Sequence, residues 1–313
     1  MPIRNLQRAD IAMSGIVLIW GFNFIVMKDG VDNVEPVTFT ALRFLVGLPF
    51  MLAIAWRIDL LRHLTWRDMA QIAAIMAVGS IGYQILLASG LKRTTSTNAA
   101  LLIATMPTWT ALVSISLRQV EVNRRLLAGI GMSLCGVGLV VLSQSEEGIS
   151  LTDDTLTGSA TMLGAAVIAA ATSIINKPVI DRTGGIPFGV WAYIVTALGL
   201  GLLRAPELLT LTAADVPTSK IPNVLYTGIP VGTLGFIVWH FALEEIGPTR
   251  AATYHNFTPI VAAIAGIALL GDPLTASLVA GGALTLGGVM IVRQNTYKRS
   301  TAIRGQPLQD QRR

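Results

Sequence analysis

Charge is what this chain of 313 residues has least of: Lys, Arg, Asp and Glu together make up 13%. That is about half the share a soluble domain carries, which excludes a surface made for water in proportion to its size. Cysteine is nearly absent too. The single one, Cys135, excludes an intrachain disulfide framework and any zinc site built from several cysteines. It stands beside Gly136 in an apolar run and is expected to be a small packing residue. Also missing are a Ser/His/Asp set, a nucleotide-binding loop and a paired-carboxylate metal motif at plausible spacing, so the chain does not read as an enzyme. His240 and His255 have no carboxylates at ligand spacing, so no metal and no cofactor is expected.

What is present is hydrophobic, 52% of residues, with mean hydropathy +0.62. The charged residues gather in short clusters, and the stretches between them approach the roughly 20 residues that cross a bilayer as helix. The pI near 9.7 does not point to nucleic acid, because the basic residues flank apolar spans and serve topology. The pattern predicts an all-α membrane protein with ten transmembrane helices, at about 11–27, 37–55, 69–90, 98–117, 126–143, 157–175, 187–203, 222–242, 250–270 and 274–292. Residues 1–10 form a short lead carrying Arg4 and Arg8 with no small-residue cleavage site, so the first span is expected to be retained. The tail, 293–313, is polar, basic and expected to be unstructured.

Orientation follows from the lysines and arginines. With the N-terminus inside, 17 of the 23 fall in inner segments, five in outer ones, and Arg43 within a span. The 144–156 loop holds Glu146, Glu147, Asp153 and Asp154 but no base, and falls outside. Both termini are therefore expected in the cytoplasm.

The chain also repeats. Gly90 to Ala100 aligns with Ala242 to Ala252 at an offset of 152, which continues through Pro107 over Pro259, Gly129 over Gly281 and Gly136 over Gly288. Lys28 and Lys177, 149 apart, are each expected to close a helix. Residues 11–143 and 157–292 thus read as two five-helix units. Five is odd, so the second unit enters from the opposite side, an inverted-topology repeat of the kind that builds alternating gates.

Several stretches resemble one family. Trp20-Gly21-Phe22-Asn23-Phe24-Ile25-Val26-Met27-Lys28, Ala41-Leu42-Arg43-Phe44, Gly247-Pro248-Thr249-Arg250-Ala251-Ala252, Pro259 and Leu270-Gly271-Asp272-Pro273-Leu274 resemble the EamA-type exporters of the drug/metabolite transporter superfamily. The resemblance spans about 10–294 and departs where Asp272 replaces the usual glutamate and where Arg118-Gln119-Val120-Glu121 stands in the first half. It implies ten helices, both termini inside, a central cavity, and export of amino acids, related metabolites or toxic compounds, with proton coupling suspected in the family.

The residues themselves nominate a cavity. Arg43 sits within a span, where a guanidinium is costly. It reads either as a docking point for a substrate carboxylate or as a structural arginine capping carbonyls or snorkelling. Asn23, near Trp20, must face the bundle to satisfy its amide, for substrate or for a neighbouring helix. Tyr83, Gln84 and Trp109 are candidate cavity walls. The ninth span carries Tyr254, His255 and Asn256, and Pro259 frees the carbonyl of His255 as Pro107 frees that of Ile103, marking two helix kinks. His255, or His240 beside Trp239, is a candidate proton relay or a helix-bridging hydrogen bond. Glu244 and Glu245 read as a solvated helix end. Gly129, Ser133, Gly131, Cys135, Gly281, Thr285, Ala283 and Gly287, spaced four apart, point to a close-packed scaffold or a homodimer contact. The leading expectation is a carrier exporting a small metabolite across the inner membrane. Uptake or exchange is its rival within transport, and an integral membrane enzyme or a passive channel lies outside it. The expected partners are a small-molecule substrate, protons as a candidate coupling ion, and lipid.

Overall fold

The structure, a computed structural model, describes residues 3–142, 153–212, 214–246, 254 and 257–304. It is helical throughout these residues. In chain order the helices are α1 (Ile3–Asn33), α2 (Pro36–Arg57), the short α3 (Leu60–His63), α4 (Trp66–Lys92), α5 (Ser96–Ile103), α6 (Met106–Ser116), α7 (Arg124–Leu142), α8 (Asp153–Thr183), α9 (Gly185–Leu203), the short α10 (Ala205–Leu209), α11 (Ile221–Tyr226), α12 (Gly235–Glu245), α13 (Thr258–Ala265) and α14 (Ala276–Arg304). Two π-helical stretches, Thr227–Leu234 and Gly266–Leu270, continue α11 into α12 and extend α13. Among the described residues nine spans are long and apolar enough to cross a membrane, and Thr258–Leu270 is a shorter apolar helix.

Local chemistry sets the ends. Glu35 caps α2 by accepting from the Thr38 N–H at 2.7 Å, and Pro36 takes the first helical position, where its missing N–H costs nothing. Thr65 and Asp68 form a capping box on α4. Thr95 caps α5, and Asn123 accepts from Leu126 N at 2.9 Å to start α7. Among the described residues Gly184 (φ 84°) and Gly271 (φ 71°) take a positive φ, a conformation that costs glycine little. Once every backbone group is bonded inside its own helix, large apolar side chains such as Leu18, Leu127, Leu202 and Val279 can face outward into hydrocarbon.

Several expectations need correction. Neither Lys28 nor Lys177 closes a helix: α1 runs on to Asn33 and α8 to Thr183, each lysine bonded to the aspartate four residues on, Asp32 or Asp181. The apolar run ends at each lysine, but the helix does not, because the i,i+4 pair carries it a further turn. Cys135 is exposed rather than packed. α7 turns Gly129, Ser133 and Gly136 to its partner, and Gly131 and Cys135 lie on the opposite face. Ala283 likewise faces out. The tail begins as helix, since α14 continues to Arg304, and α8 starts at Asp153, taking in the end of the acidic loop.

Four groupings position the interior. α4, α5, α6 and α8 pack together, as do α1, α12 and α13. α2 lies against α9 beside them, and α7 against α14. The last contact is tight: a Cβ on Gly136 would fall 2.4 Å from the Thr285 nitrogen, and one on Gly288 2.4 Å from that of Ser133. Backbone therefore touches backbone, as in small-residue packing within membranes.

Candidate functional site

The first group of polar side chains lies where α2, α4 and α9 meet. Arg43 is 6% exposed. Its Nη2 donates to Gln84 Oε1 at 2.5 Å, and its Cζ lies 5.1 Å from the Phe44 ring centroid. The Phe44 and Tyr193 rings are 4.9 Å apart, and Tyr193 OH donates to the Phe44 carbonyl at 3.4 Å. Tyr83, partly buried, precedes Gln84 on α4. Space is made by two glycines. A Cβ on Gly47 would strike the Tyr193 hydroxyl, and one on Gly228 would fall 2.4 Å from the Arg43 carbonyl oxygen. Gly228 belongs to the π-helical stretch around Pro230, whose lost hydrogen bond loosens the turn pressed against α2.

Arg43 has no ionic counterpart among the described residues. Every ion pair among them is made by other groups, and the Arg43 Nε is buried without a hydrogen-bond partner. A buried charge is expected to be paired, so this arrangement is costly unless an anion joins it.

A second group lies between α1 and the eighth span. Trp20 Nε1 donates to the Val231 carbonyl at 3.3 Å, Trp20 and Trp239 are 5.9 Å apart and tilted by 48°, and both pack with Tyr254, Met13 and Ile16. Tyr226 OH donates to the Ile19 carbonyl at 2.9 Å. Asn23, one turn beyond Trp20, has a buried Oδ1 with no hydrogen-bond partner. Trp109 stands apart from both groups, its Nε1 donating to Thr105 Oγ1 at 3.1 Å. Pro107 sits in the first turn of α6, just past the interruption at Ala104 and Thr105 between α5 and α6. Pro259 sits in the first turn of α13. His240 lies on α12, its side chain outside the described residues, as are His255 and Asn256 altogether.

Polar clusters fasten the helix ends. At one, Lys220 Nζ lies 2.8 and 2.9 Å from the Asp29 carboxylate oxygens, and Asn223 Nδ2 donates to Asp29 Oδ2 at 2.7 Å. At another, Arg182 donates from Nε and Nη2 to Asp68 Oδ1 at 3.0 and 2.6 Å, and from Nη2 to Gln71 Oε1 at 3.0 Å. At a third, Asp272 Oδ2 accepts from Ser96 Oγ (2.9 Å), Thr97 N (2.9 Å) and Thr97 Oγ1 (2.7 Å). Glu35 pairs with Arg204. Burial pushes the Glu35 carboxyl up, but the Thr38 N–H and the Arg204 guanidinium outweigh it and hold the group below the usual carboxylate range. An apolar cleft of about 390 Å³ opens beside Leu42, Val46, Val216 and Val224. It lacks the convergent polar groups that orient a ligand.

Of the residues nominated from sequence, the structure brings Arg43, Gln84 and Tyr83 together, and separately Trp20, Trp239 and Tyr254. Tyr193 was not nominated. Its signal was the repeat, since it stands 149 residues after Phe44, the ring it meets. The Lys220 and Arg182 clusters escaped notice because each joins residues more than a hundred positions apart.

A helical bundle with this many apolar spans, and with polar groups turned inward, is a multi-pass membrane protein. The EamA-like transporter family matches residues 7–142 and 156–294, and the chain belongs to that family. It is 27% identical to an uncharacterized transporter of Archaeoglobus fulgidus over 93% of this chain and 99% of that one. It is 25% identical to a probable terminal-alkyne amino-acid exporter of Streptantibioticus cattleyicolor (94% and 96% covered). It is also 25% identical to a probable amino-acid metabolite efflux pump of Salmonella typhimurium (88% and 91%). One solved crystal structure superposes with a TM-score of 0.63 at 20% identity, covering 94% of this chain and 99% of the other, a likeness of fold.

Proposed function

We propose that the protein is a secondary carrier of the cytoplasmic membrane, built as two inverted five-helix repeats with both termini inside, that exports a small carboxylate-bearing metabolite of the amino-acid class by alternating access. The observation that carries the substrate class is Arg43: a guanidinium buried in the bundle, held by an amide, with an unbonded Nε and, among the described residues, no acid paired with it. A substrate carboxylate supplies the missing partner, and two N–H groups in a rigid fork suit its geometry. The Phe44 and Tyr193 rings stand beside the guanidinium as an aromatic wall. Outward direction is read from the names of two relatives, one an exporter and one an efflux pump.

The repeat reading is supported by how the halves touch. Gly129 and Gly281 are 152 apart, as are Gly136 and Gly288, and a Cβ on Gly129 would meet the Gly288 carbonyl while one on Gly281 would meet that of Gly136. Exchanging the halves returns the same two contacts. The packing of α1 on α13 and of α6 on α8 is exchanged in the same way. Inverted repeats of this kind let one pseudo-twofold unit open alternately to either side.

Counterflow of labelled amino acids in proteoliposomes tests the reading. Saturable counterflow is expected, lost in Arg43→Gln and reduced in His255→Ala or Tyr83→Phe. Uptake that does not saturate, or that ignores Arg43, sinks it.

A further inference from the structure

The two lysines that stand 149 apart do different things. Lys28 is 18% exposed and holds both Asp32 at 2.9 Å and, across the bundle, the Lys92 carbonyl at 3.0 Å, which joins α1 to α4. The end turn of α4 is where a cation belongs, because its last carbonyls are unsatisfied and carry the negative pole of the helix. Asp272 adds a second tie at the start of α5, and it is crowded: a Cβ on Gly266 would fall 2.5–2.6 Å from Thr97 Oγ1, Asp272 Oδ2 and Ser96 Oγ. Both ties join the α4–α5–α6–α8 group to the α1–α12–α13 group at a single end of the bundle.

Lys177 is placed alike in α8 but is 66% exposed and, among the described residues, bonded only to Asp181, at 2.7 Å in its own helix. Shifting Lys92 by the 152-residue offset lands on Glu244, followed by Glu245 in the last turn of α12. Among the described residues Glu245 makes no ion pair, and α8 and α12 make no extended contact, whereas α1 packs on α4. One end of the bundle is latched. At the other, a lysine and the helix end that matches its partner's are both present and apart.

We infer that the structure is the state open at the Lys177 end, and that Lys177 is an idle latch: on closure it leaves solvent for the last turn of α12, where carbonyls and Glu245 receive it, as Lys28 releases Lys92. The inference rests on the carrier reading above and adds which residues exchange partners. The acidic end of α12 makes this second latch an ion pair, where the first is a bond to a carbonyl.

The test uses double electron–electron resonance in proteoliposomes, on a Cys135→Ser background. One spin-label pair sits at exposed Ile175 and Phe241, which spares Lys177 and Glu245, and the other at Asn33 and Lys92, which keeps the Lys92 carbonyl. Lys28→Ala is expected to lengthen the 33–92 distance and to bring a shorter 175–241 population into view. Adding Lys177→Ala is expected to remove that population while the circular dichroism spectrum is unchanged. A 175–241 distribution that stays put, or a short population that survives Lys177→Ala, overturns the idle latch. Counterflow on the same vesicles separates the two readings. Distances that switch without counterflow keep the latch and end the carrier. Counterflow with static distances does the reverse.

Discussion

Arg43 offers two roles that stability and transport measurements separate. If it were a structural clamp, removing it would cost stability, because Gln84 Oε1 would lose its donor inside the bundle. If it waits for a substrate, removing it relieves an unpaired buried charge. Arg43→Gln is therefore expected to leave the thermal midpoint in detergent unchanged or higher, while apparent substrate affinity falls at least about tenfold, or roughly 1.4 kcal/mol. A fall in the midpoint with affinity intact would make it a clamp. Arg43 and Gln84 were each legible in the sequence as polar residues within apolar runs. Their bond was not, since it joins residues 41 apart on different helices. Tyr193 looked like one more aromatic in an apolar helix. Glu35 is a residue whose effect should follow pH. Its carboxyl titrates below its ordinary 4.5 in the folded chain, so its contribution is complete above that value and fades as pH falls through the lower folded-state value. Glu35→Ala is expected to cost about 0.5–2 kcal/mol at neutral pH, as lost helix caps do, and the difference in melting from the parent should vanish in acid.

At the scale of elements, the α7–α14 seam admits a clean comparison. A Cβ on Gly136 would overlap the backbone of Gly281 and Thr285, whereas one on Gly131, five residues earlier, meets nothing within 4 Å. Gly136→Val is expected to destabilise by about 1–3 kcal/mol or more, as overpacking does, and Gly131→Val to be near neutral in the same melting assay. The sequence showed small residues four apart on both faces of this helix but not which face meets the partner. Spans were the most readable feature, because hydropathy and length alone define a crossing. Helix ends were less so. Pairs such as Lys28 with Asp32 prolong a helix past its apolar run. The π-helical stretch from Thr227 to Leu234 left only Pro230 as a clue, whereas Pro107 and Pro259 announced themselves by matching in the repeat.

At the scale of the molecule, the clusters at Asp68 and Lys220 are related. Asp68 and Lys220 are 152 apart, as are Gln71 and Asn223, while Arg182 and Asp29 lie within the last five residues of helices that are both 31 residues long. The geometry repeats but the sign is reversed: the third span of the first half brings the acid Asp68 to a base on the first span of the second, whereas the equivalent position in the second half brings the base Lys220 to an acid on the first span of the first. Exchanging the charges within the second cluster, Lys220→Asp with Asp29→Lys, is expected to recover part of the stability that either change alone removes, read as the coupling in a double-mutant cycle.

The sign reversal also bears on which chains can assemble. Two copies of the first half, laid together in this arrangement, would set Asp68 against the end of α1 that carries Asp29 and Asp32. Two copies of the second half would set Lys220 against the end of α8, where Lys177 and Arg182 outnumber Asp181. Like charges facing across a packed contact are a repulsive code, so each half excludes itself and accepts the other. Expressed as separate polypeptides, residues 1–148 and 149–313 should co-purify as a one-to-one pair, and neither should pair with itself. A symmetric dimer of one half would then become accessible by reversing a single charge, Asp68→Lys.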